Sequence, residues 1–279
     1  MALKLMYITN DSSLAQMAQR SGVDRIWIDL EYLGKEERQK GLDTVKSKHT
    51  VEDICRLRPM IDKSELMVRI NPLNPQSPKE IDRVIAAGAD LIMLPFFHSS
   101  SEVQNFIKLV NGRARTMLLL ETKEAYESLE DIVTIPGIDE VHVGLNDLHL
   151  SYGMRFMFEP LANGMLDRVC HILKKASIPY GFGGIAKIGE GVLPAELIIG
   201  EHYRLGSTMT ILSRTFLNPK QSLLDDDYVE KMFAEEVLRI RQYESSLLNK
   251  NHQFFVNNQQ LVRERVRHIV DLKEREKIK

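Results

Sequence analysis

Two carboxylates and one guanidinium lie at regular spacing along this chain, each close to the end of a short apolar run. Arg69, Pro95, Glu121 and Asp147 follow one another at intervals of 26 residues, in the runs LMVRI, LIMLPF, TMLLLET and VHVGLND. A repeat of this length fits one strand, one helix and two short loops, so the runs are expected to be parallel strands. Side chains at the carboxyl ends of such strands meet at one mouth of a barrel. The spacing therefore predicts one site for a divalent cation and an anionic substrate.

Glu121 and Asp147 are the candidate metal ligands. A carboxylate directly after an apolar strand is costly to bury unless it is paired or metal-bound, so both are expected to face the mouth. Neighbouring strands are about 4.8 Å apart, which lets two such carboxylates reach one ion. Oxygen ligands with open positions suit Mg²⁺ or Mn²⁺. The alternative is that Glu121 caps the following helix and Asp147 forms an Asx turn.

Arg69 is the candidate substrate anchor. A guanidinium is a natural fork for a carboxylate or for a ketone oxygen beside one. Asp29 and Glu31 close the preceding strand with i, i+2 spacing, which places them on one strand face and near Arg69. They are expected to contact substrate, to orient Arg69 or to bond water on the metal. Simple neutralisation of Arg69 by one of these carboxylates is the alternative.

Glycine-rich turns supply a candidate anion cradle. GFGGIAKIGEG (181–191) is predicted to follow the seventh strand and LGSTM the eighth. Loops at these positions of a barrel often bind phosphate or carboxylate through backbone N–H groups. Gly183, Gly184, Gly206 and Ser207 are therefore candidate substrate-binding residues. Crowding of the backbone is the other explanation for such glycines.

Eight apolar runs alternate with helical patterns before residue 210. The strands are predicted at 3–8, 25–30, 66–70, 91–95, 116–120, 140–144, 179–183 and 203–207. Eight strands with intervening helices favour an α/β fold of the (β/α)8 TIM barrel type. An open doubly wound sheet needs no eighth strand, and it usually has a Gly-rich first turn where this chain has ITNDSS.

Two segments depart from this repeat. Residues 33–50 form a long, basic loop after the second strand, which is predicted to be either a solvated loop or an anion-contacting lid. The segment from 224 to 279 shows two helical patterns, with Phe254 and Phe255 between them. We therefore predict a barrel core over 1–217 and, over 218–279, C-terminal helices that complete the barrel, pack on a neighbouring subunit, or both. A mobile tail after 258 is the alternative.

Composition excludes several classes of protein. The 279 residues are 43% hydrophobic with a formal net charge of −2, which suits a large α/β domain and argues against a nucleic-acid binder. The two cysteines, Cys55 and Cys170, fall in helical patterns, which argues against a disulfide framework and favours a cytoplasmic protein. The amino terminus lacks a signal-peptide pattern, and the apolar runs fall short of the ~20 residues of a membrane span. A soluble protein without a membrane or nucleic-acid partner is expected.

Several of these segments together resemble one enzyme family. IWIDLEY, VRINP, MLPFFHSSSEV and LLLETKEAYESLEDIVTIPGIDEVHVGLNDL are similar to the HpcH/HpaI aldolase and citrate lyase family, over about residues 5–215. The resemblance implies a (β/α)8 barrel, a divalent metal held by Glu121 and Asp147, and a pyruvate-like enolate with Arg69 against its oxygen. It also implies exchanged C-terminal helices in homo-oligomers, namely trimers or hexamers.

The chain departs from the family pattern where protons are transferred. Tyr32 takes the position of a basic histidine, Leu119 that of a glutamine, and LGSTM replaces the usual last loop. We therefore expect the base to be water on the metal, with Tyr32 and His49 as the next catalytic candidates.

The expected activity is metal-dependent carbon–carbon cleavage or formation on a pyruvate-like 2-oxo acid, with an aldehyde or acyl co-substrate. The alternatives are a citryl-CoA-type or oxaloacetate-type lyase, other phosphoenolpyruvate chemistry, or a catalytically degenerate binding barrel.

Overall fold

Eight parallel strands close into a barrel, which confirms the predicted (β/α)8 fold. The computed structural model describes residues 2–34, 48–213, 216–217 and 226–277. Each strand pairs with the next, and the last pairs with the first. The strands are β1 (Lys4–Ile8), β2 (Arg25–Asp29), β3 (Glu65–Arg69), β4 (Leu91–Leu94), β5 (Arg115–Leu120), β6 (Glu140–Val143), β7 (Tyr180–Ile185) and β8 (Met209–Leu212).

Helices follow the strands and form the outer layer. In chain order they are α1 (Ser12–Arg20), α2 (Val51–Leu57), α3 (Ser77–Ala86), α4 (Ser100–Val110), α5 (Lys123–Glu127), α6 (Leu129–Ile132), α7 (Leu145–Ser151), α8 (Glu159–Ala162), α9 (Met165–Lys175), α10 (Ala195–Leu205), α11 (Asp226–Leu247) and α12 (His252–Lys277). Local chemistry explains their starts. The Ser99 side chain accepts a hydrogen bond from Glu102 N–H while the Glu102 carboxylate reaches back to Ser99, a capping box that begins α4.

The position predicted for the eighth strand is wrong. Residues 203–205 end α10, and Gly206 terminates that helix with a left-handed φ of 74°. The strand follows as Met209–Leu212. Gly206 and Ser207 therefore precede β8 and lie at the amino end of the barrel, where the Ser207 hydroxyl contacts His202 Nδ1 at 2.7 Å. Gly206 and Ser207 were predicted in a loop after the last strand, and that prediction is wrong because the strand begins after them, at Met209.

The barrel interior is apolar in its middle and charged at its amino end. A buried cluster of methionine, leucine and tryptophan side chains fills the middle: Met6, Trp27, Leu91, Met93, Met67, Met117, Leu119 and Met209. At the amino end Arg25 is fully buried and bonds Glu140 at 2.7 Å and Glu65 at 2.6 Å. Arg115 bonds the same Glu65 carboxylate. These ion pairs compensate the charge that is buried there.

The two C-terminal helices pack on the barrel's outer layer in this chain. α11 lies against α1 and α10, and α12 lies against α10 and α8. Two helices were predicted over 224–279, and the second begins earlier than expected, so that Phe254 and Phe255 are helical. No helix in the described part of the chain is long and apolar enough to cross a membrane.

The interface between α12 and α10 contains a buried polar network. The Asn258 amide donates to Glu201 Oε1 at 2.9 Å and to the Leu197 carbonyl at 3.0 Å. A Cβ at Gly200 would lie 2.7 Å from the Asn258 side chain, so the glycine lets the two helices approach closely. Arg204 holds the other Glu201 oxygen at 2.7 Å. The polar network thus specifies one docking position for α12.

Candidate active site

Arg69, Asp29 and Glu31 meet at the carboxyl ends of β2 and β3. Asp29 and Arg69 are directly opposite in the parallel register. Arg69 Nε donates to Asp29 Oδ1 and Nη2 to Oδ2, both at 2.8 Å, in a bidentate pair. Arg69 Nη1 also lies 3.2 Å from Glu31 Oε2. The ion pair that the sequence left as an alternative is therefore present, and it fixes the plane of the guanidinium.

Arg69 stays charged although it is largely buried. Its side chain is 13% exposed, and its guanidinium carbon lies 5.1 Å from the centre of the Trp27 ring. Burial lowers the pKa of Arg69, but Asp29 and Glu31 outweigh that effect and raise it above its ordinary value. The Trp27 ring and the paired carboxylates keep the guanidinium charged at the mouth.

Glu121 follows β5 as a buried carboxylate, 4% exposed. The Phe96 N–H donates to Glu121 Oε1 at 3.0 Å. Phe96 has a φ of 48°, a left-handed conformation that is rare for a bulky residue and carries strain. The strained backbone of the β4 loop thus directs an N–H at this carboxylate. The neighbouring Thr122, not Glu121, caps α5 by accepting from Ala125 N–H, so the capping alternative for Glu121 is wrong.

Gly144 makes room for the Glu121 carboxylate. Its N–H donates to the Leu120 carbonyl at 3.0 Å, which holds the end of β6 beside the end of β5. A Cβ at position 144 would lie 2.7 Å from Glu121 Oε2 and 3.0 Å from Glu121 Cβ. A side chain larger than hydrogen would displace the carboxylate. Glycine therefore has a steric function at this position.

Asp147 lies in the first turn of α7, three residues after Gly144. Its side chain is half-buried, and its Oδ1 accepts a hydrogen bond from the Asn146 amide at 3.1 Å. A carboxylate in a first turn also interacts favourably with the helix dipole. The residue belongs to a helix and not to the Asx turn that was the alternative.

The chemistry of Glu121 and Asp147 fits a hard divalent cation. Both offer carboxylate oxygens, the ligands that Mg²⁺ and Mn²⁺ prefer, and Gly144 leaves the space in which Glu121 points. Among the described residues, no group of three or more His, Cys, Asp or Glu side chains could hold a metal ion. A cation at these two carboxylates would therefore have to take its other ligands from substrate oxygens or water.

Tyr32 and His49 differ in how the structure holds them. The Tyr32 side chain is 67% exposed, while its backbone N–H donates to Asn71 Oδ1 at 3.0 Å. His49 is half-buried, and its Nδ1 accepts the Asp29 backbone N–H at 3.0 Å. His49 therefore lies at the end of β2, beside the residue that holds Arg69. Most of the predicted 33–50 lid lies outside the described residues.

Gly183 and Gly184 lie within β7, which extends two residues beyond its predicted end. The Gly183 carbonyl accepts a hydrogen bond from His142 Nε2 at 3.1 Å. Gly183 has a φ of 52°, and a Cβ there would lie 2.8 Å from a Leu145 methyl carbon. The close approach of α7 explains this glycine, which is the crowding that the sequence left as an alternative. Of the four candidate cradle residues, these two lie towards the carboxyl end, and Gly206 and Ser207 do not.

Three residues that position the site were missed by the sequence reasoning: Trp27, Phe96 and Gly144. Trp27 precedes Asp29 by two residues, so the alternation of the strand could have placed it under Arg69. The sequence VGLND could have suggested a steric role for Gly144. No sequence pattern predicts the role of Phe96, because that role depends on its positive φ angle.

The comparisons with known proteins agree with this architecture. The family model for HpcH/HpaI aldolase/citrate lyase matches residues 4–177, more than half of the chain. The curated proteins include no match to the sequence. The match to the family model confirms the resemblance seen in the strand-end motifs.

Solved structures of low sequence identity share the fold. An HpcH/HpaI aldolase from Desulfitobacterium hafniense DCB-2 is 15% identical, with a TM-score of 0.57 over 76% of this chain and 86% of that one. An HpcH/HpaI aldolase/citrate lyase family protein from Burkholderia cenocepacia J2315 is 17% identical, with a TM-score of 0.60 over 76% and 88%. The citrate synthase SbnG is 14% identical, with a TM-score of 0.58 over 88% and 95%. At these identities the likeness shows the fold alone.

Proposed function

Because the chain belongs to the HpcH/HpaI aldolase/citrate lyase family, we propose that it is a metal-dependent carbon–carbon lyase or aldolase that acts on a pyruvate-like 2-oxo acid. The observation that carries this proposal is one barrel mouth with a clamped guanidinium, Arg69, and a buried, oriented carboxylate, Glu121. The second substrate is an aldehyde or an acyl compound. Homo-oligomers and a cytoplasmic location belong to the same proposal.

Glu121 and Asp147 would hold Mg²⁺ or Mn²⁺. When bound, the cation would act as a Lewis acid towards the oxygens of the 2-oxo acid. Phe96 supports this assignment because its N–H occupies Glu121 Oε1 and fixes the direction of the carboxylate. Gly144 supports it by giving Oε2 the space it needs. Such prearranged groups need little reorganisation when a cation binds.

Arg69 would stabilise negative charge on the substrate. Nε and one Nη2 hydrogen bind Asp29, and Nη1 faces Glu31, so the remaining Nη hydrogens are available to a substrate oxygen. The bidentate pair prevents the guanidinium from turning away. A fixed donor aimed at an oxygen that becomes an enolate lowers the barrier to breaking or forming the carbon–carbon bond.

Calorimetry with Mn²⁺ and oxalate, a mimic of the enolate, tests the binding half of this proposal. We expect wild-type protein to bind oxalate only with Mn²⁺, and Asp147→Ala to weaken Mn²⁺ binding at least about tenfold, since a charged ligand is lost. Asp131→Ala removes an exposed carboxylate from α6 and is the matched control. Unchanged Mn²⁺ affinity in Asp147→Ala would contradict the metal assignment.

Release of a 2-oxo acid tests the catalytic half. The wild-type enzyme with Mg²⁺ or Mn²⁺ would be offered 4-hydroxy-2-oxopentanoate, oxaloacetate and a citryl thioester. Metal-dependent release of pyruvate and acetaldehyde from the first compound supports an aldolase. Release of pyruvate and CO₂ from oxaloacetate supports an oxaloacetate-type lyase, and release of oxaloacetate and an acetyl thioester from the third compound supports a citryl-CoA-type lyase. Binding of Mn²⁺ and oxalate without any turnover would leave a binding barrel, and failure of both binding and turnover would reject the proposal.

A further inference from the structure

The pairing of β2 with β3 continues past the last residue of β2 through a side chain. Leu30 N–H donates to the Arg69 carbonyl at 2.9 Å. In a parallel ladder the next N–H on that side belongs to Tyr32, and its regular acceptor would be the backbone carbonyl of Asn71. Tyr32 N–H donates instead to the side-chain Oδ1 of Asn71, at 3.0 Å. The Asn71 amide thus extends the ladder beyond the end of the strand.

The same amide oxygen binds the next residue of the loop after β2. Leu33 N–H also donates to Asn71 Oδ1, at 3.1 Å. A backbone N–H can only donate, so these two bonds require the oxygen of the amide, and not its nitrogen, to face the loop. Asn71 is 4% exposed, and its one oxygen therefore satisfies two backbone donors where the chain leaves the sheet.

Glu80 holds the other end of the amide. Asn71 Nδ2 donates to Glu80 Oε1 at 2.8 Å, and the Asn71 backbone N–H donates to the same oxygen at 3.2 Å. Glu80 lies in the first turn of α3, where the helix dipole favours a carboxylate. Asn71 and Glu80 therefore form a clasp that joins the loop after β2 to the start of α3.

The clasp fixes the backbone on both sides of Glu31. This residue lies between Leu30 and Tyr32, whose N–H groups are both bound on the β3 side. Because both neighbours are held, residue 31 keeps the strand-like direction that places its side chain on the same face as that of residue 29. Glu31 Oε2 then lies 3.2 Å from Arg69 Nη1.

The placement of Glu31 matters because its carboxylate is buried, 2% exposed, at the mouth of the barrel. Held against Nη1, its negative charge is compensated by the Arg69 guanidinium. A carboxylate that left this position would lose that compensation and would repel an anionic substrate. A loosened loop would therefore weaken the binding of a 2-oxo acid without altering a metal ligand.

We propose that Asn71 is a positioning residue for the substrate anchor: clasped by Glu80, it fixes the loop after β2 so that Glu31 stays paired with Arg69. This inference deepens the proposed function and rests on it. Asn71 acts through the loop and not by touching the substrate. The position suits asparagine because the clasp needs an acceptor towards the loop and a donor towards the Glu80 carboxylate.

Hydrogen exchange of the two loop amides tests the clasp itself. In the wild-type protein the Tyr32 and Leu33 N–H groups should be protected, because both are bound to Asn71. Asn71→Ala removes the acceptor and should speed their exchange about tenfold or more relative to Val68 in the middle of β3. Unchanged exchange in this variant would overturn the inference, whatever the enzyme turns over.

A double-variant cycle tests the effect of the clasp on the anion site. Asn71→Asp keeps the oxygen that faces the loop but sets a second carboxylate against Glu80. We expect its affinity for oxalate, measured by calorimetry at saturating Mn²⁺, to fall about tenfold. Glu80→Gln alone keeps an acceptor and should cost less. Asn71→Asp combined with Glu80→Gln exchanges donor and acceptor across the clasp and should recover most of the affinity.

The affinity for Mn²⁺ separates positioning of the anchor from a general structural role. It should stay within about twofold of wild type in the single and double variants, since Glu121 and Asp147 are not altered. Asn163→Asp is the matched control, because this exposed asparagine also accepts a backbone N–H through Oδ1, that of Met165 at 3.1 Å. The control should keep both affinities.

Three results would overturn the inference: an equal loss of Mn²⁺ and oxalate affinity, a lower Tm with unchanged oxalate affinity, or no recovery in the double variant. Wild-type protein that fails to bind Mn²⁺ and oxalate would reject the proposed function, and with it the role of Asn71 at the anchor. The exchange rates of Tyr32 and Leu33 would still decide whether Asn71 holds the loop.

Discussion

At the scale of single residues, the site depends on atoms that are held before any ligand arrives. Asp29 is the central residue, because its carboxylate binds Arg69 and its backbone N–H donates to His49 Nδ1. Glu121 is held in a comparable way by Phe96. These contacts mean that geometry, and not only residue type, decides what each side chain can do.

Gly144→Ala tests whether space beside Glu121 matters. The backbone at Gly144 has φ −79° and ψ 86°, which alanine can adopt, so the effect should come from the new Cβ at 2.7 Å from Glu121 Oε2. We expect Mn²⁺ affinity to fall about tenfold or more, as measured by calorimetry. Ser151→Ala, in the same helix as Asp147, is the control. Wild-type affinity in Gly144→Ala would show that Glu121 can move without loss.

Residue types predicted part of this site, and contacts supplied the rest. The grouping of Asp29, Glu31 and Arg69 follows from strand periodicity, because the ends of parallel strands converge. The partner of His49 was not predictable, since a long loop separates it from Asp29 and loop paths do not follow from periodicity.

At the scale of elements, most of the strands were predictable from the sequence. Seven strands fall within one or two residues of their predicted positions. The eighth failed because Leu205, Gly206 and Ser207 look like a strand end followed by a turn, whereas Gly206 is the residue that ends α10. Apolar residues followed by a glycine form the same local sequence pattern whether they end a helix or a strand.

Asn258→Ala tests the interface between α12 and α10. The change leaves the fully buried Glu201 without one of its hydrogen-bond donors. We expect the free energy of unfolding in urea to fall by about 1–3 kcal/mol, the typical cost of an unsatisfied buried group. Hydrogen exchange should also become faster along α12 than in the barrel strands.

Asn257→Ala is the matched control for this experiment, since it alters the exposed neighbour on the same helix. Equal exchange rates in both variants and in the wild-type protein would mean that the apolar contacts of Val262 and Val266 hold the helix without the polar network.

At the scale of the whole molecule, buried neutral histidines link stability to pH. Burial lowers the pKa of His142 from 6.5 to about 3, and Arg25 and Arg69 lower it further while the bond to Gly183 opposes the shift. Burial also lowers the pKa of His202. Between about pH 6.5 and 3 the unfolded chain therefore binds more protons than the folded one. The contribution of these two neutral histidines to the free energy of unfolding is fully present above about pH 6.5 and is lost as the pH falls.

His142→Gln should reduce this pH dependence, because glutamine cannot take up the proton in the unfolded state. Each fully protonated histidine contributes a slope of about 1.4 kcal/mol per pH unit. Urea unfolding at pH 7, 6 and 5 measures the slope, with the exposed His171→Gln on α9 as control. Identical slopes for His142→Gln and wild-type protein would contradict the pKa shift of His142.

The charged network at the amino end of the barrel has a consequence for kinetics. Arg25, Glu65, Arg115 and Glu140 occupy that end of the barrel, so a ligand of the candidate site would have to enter at the carboxyl end. A two-substrate reaction there has a first-in, last-out order, because the compound that binds deeper cannot leave past the other. Under the proposed function, a 2-oxo acid bound at Arg69 should therefore bind first and be released last, and its analogues should inhibit competitively against it alone.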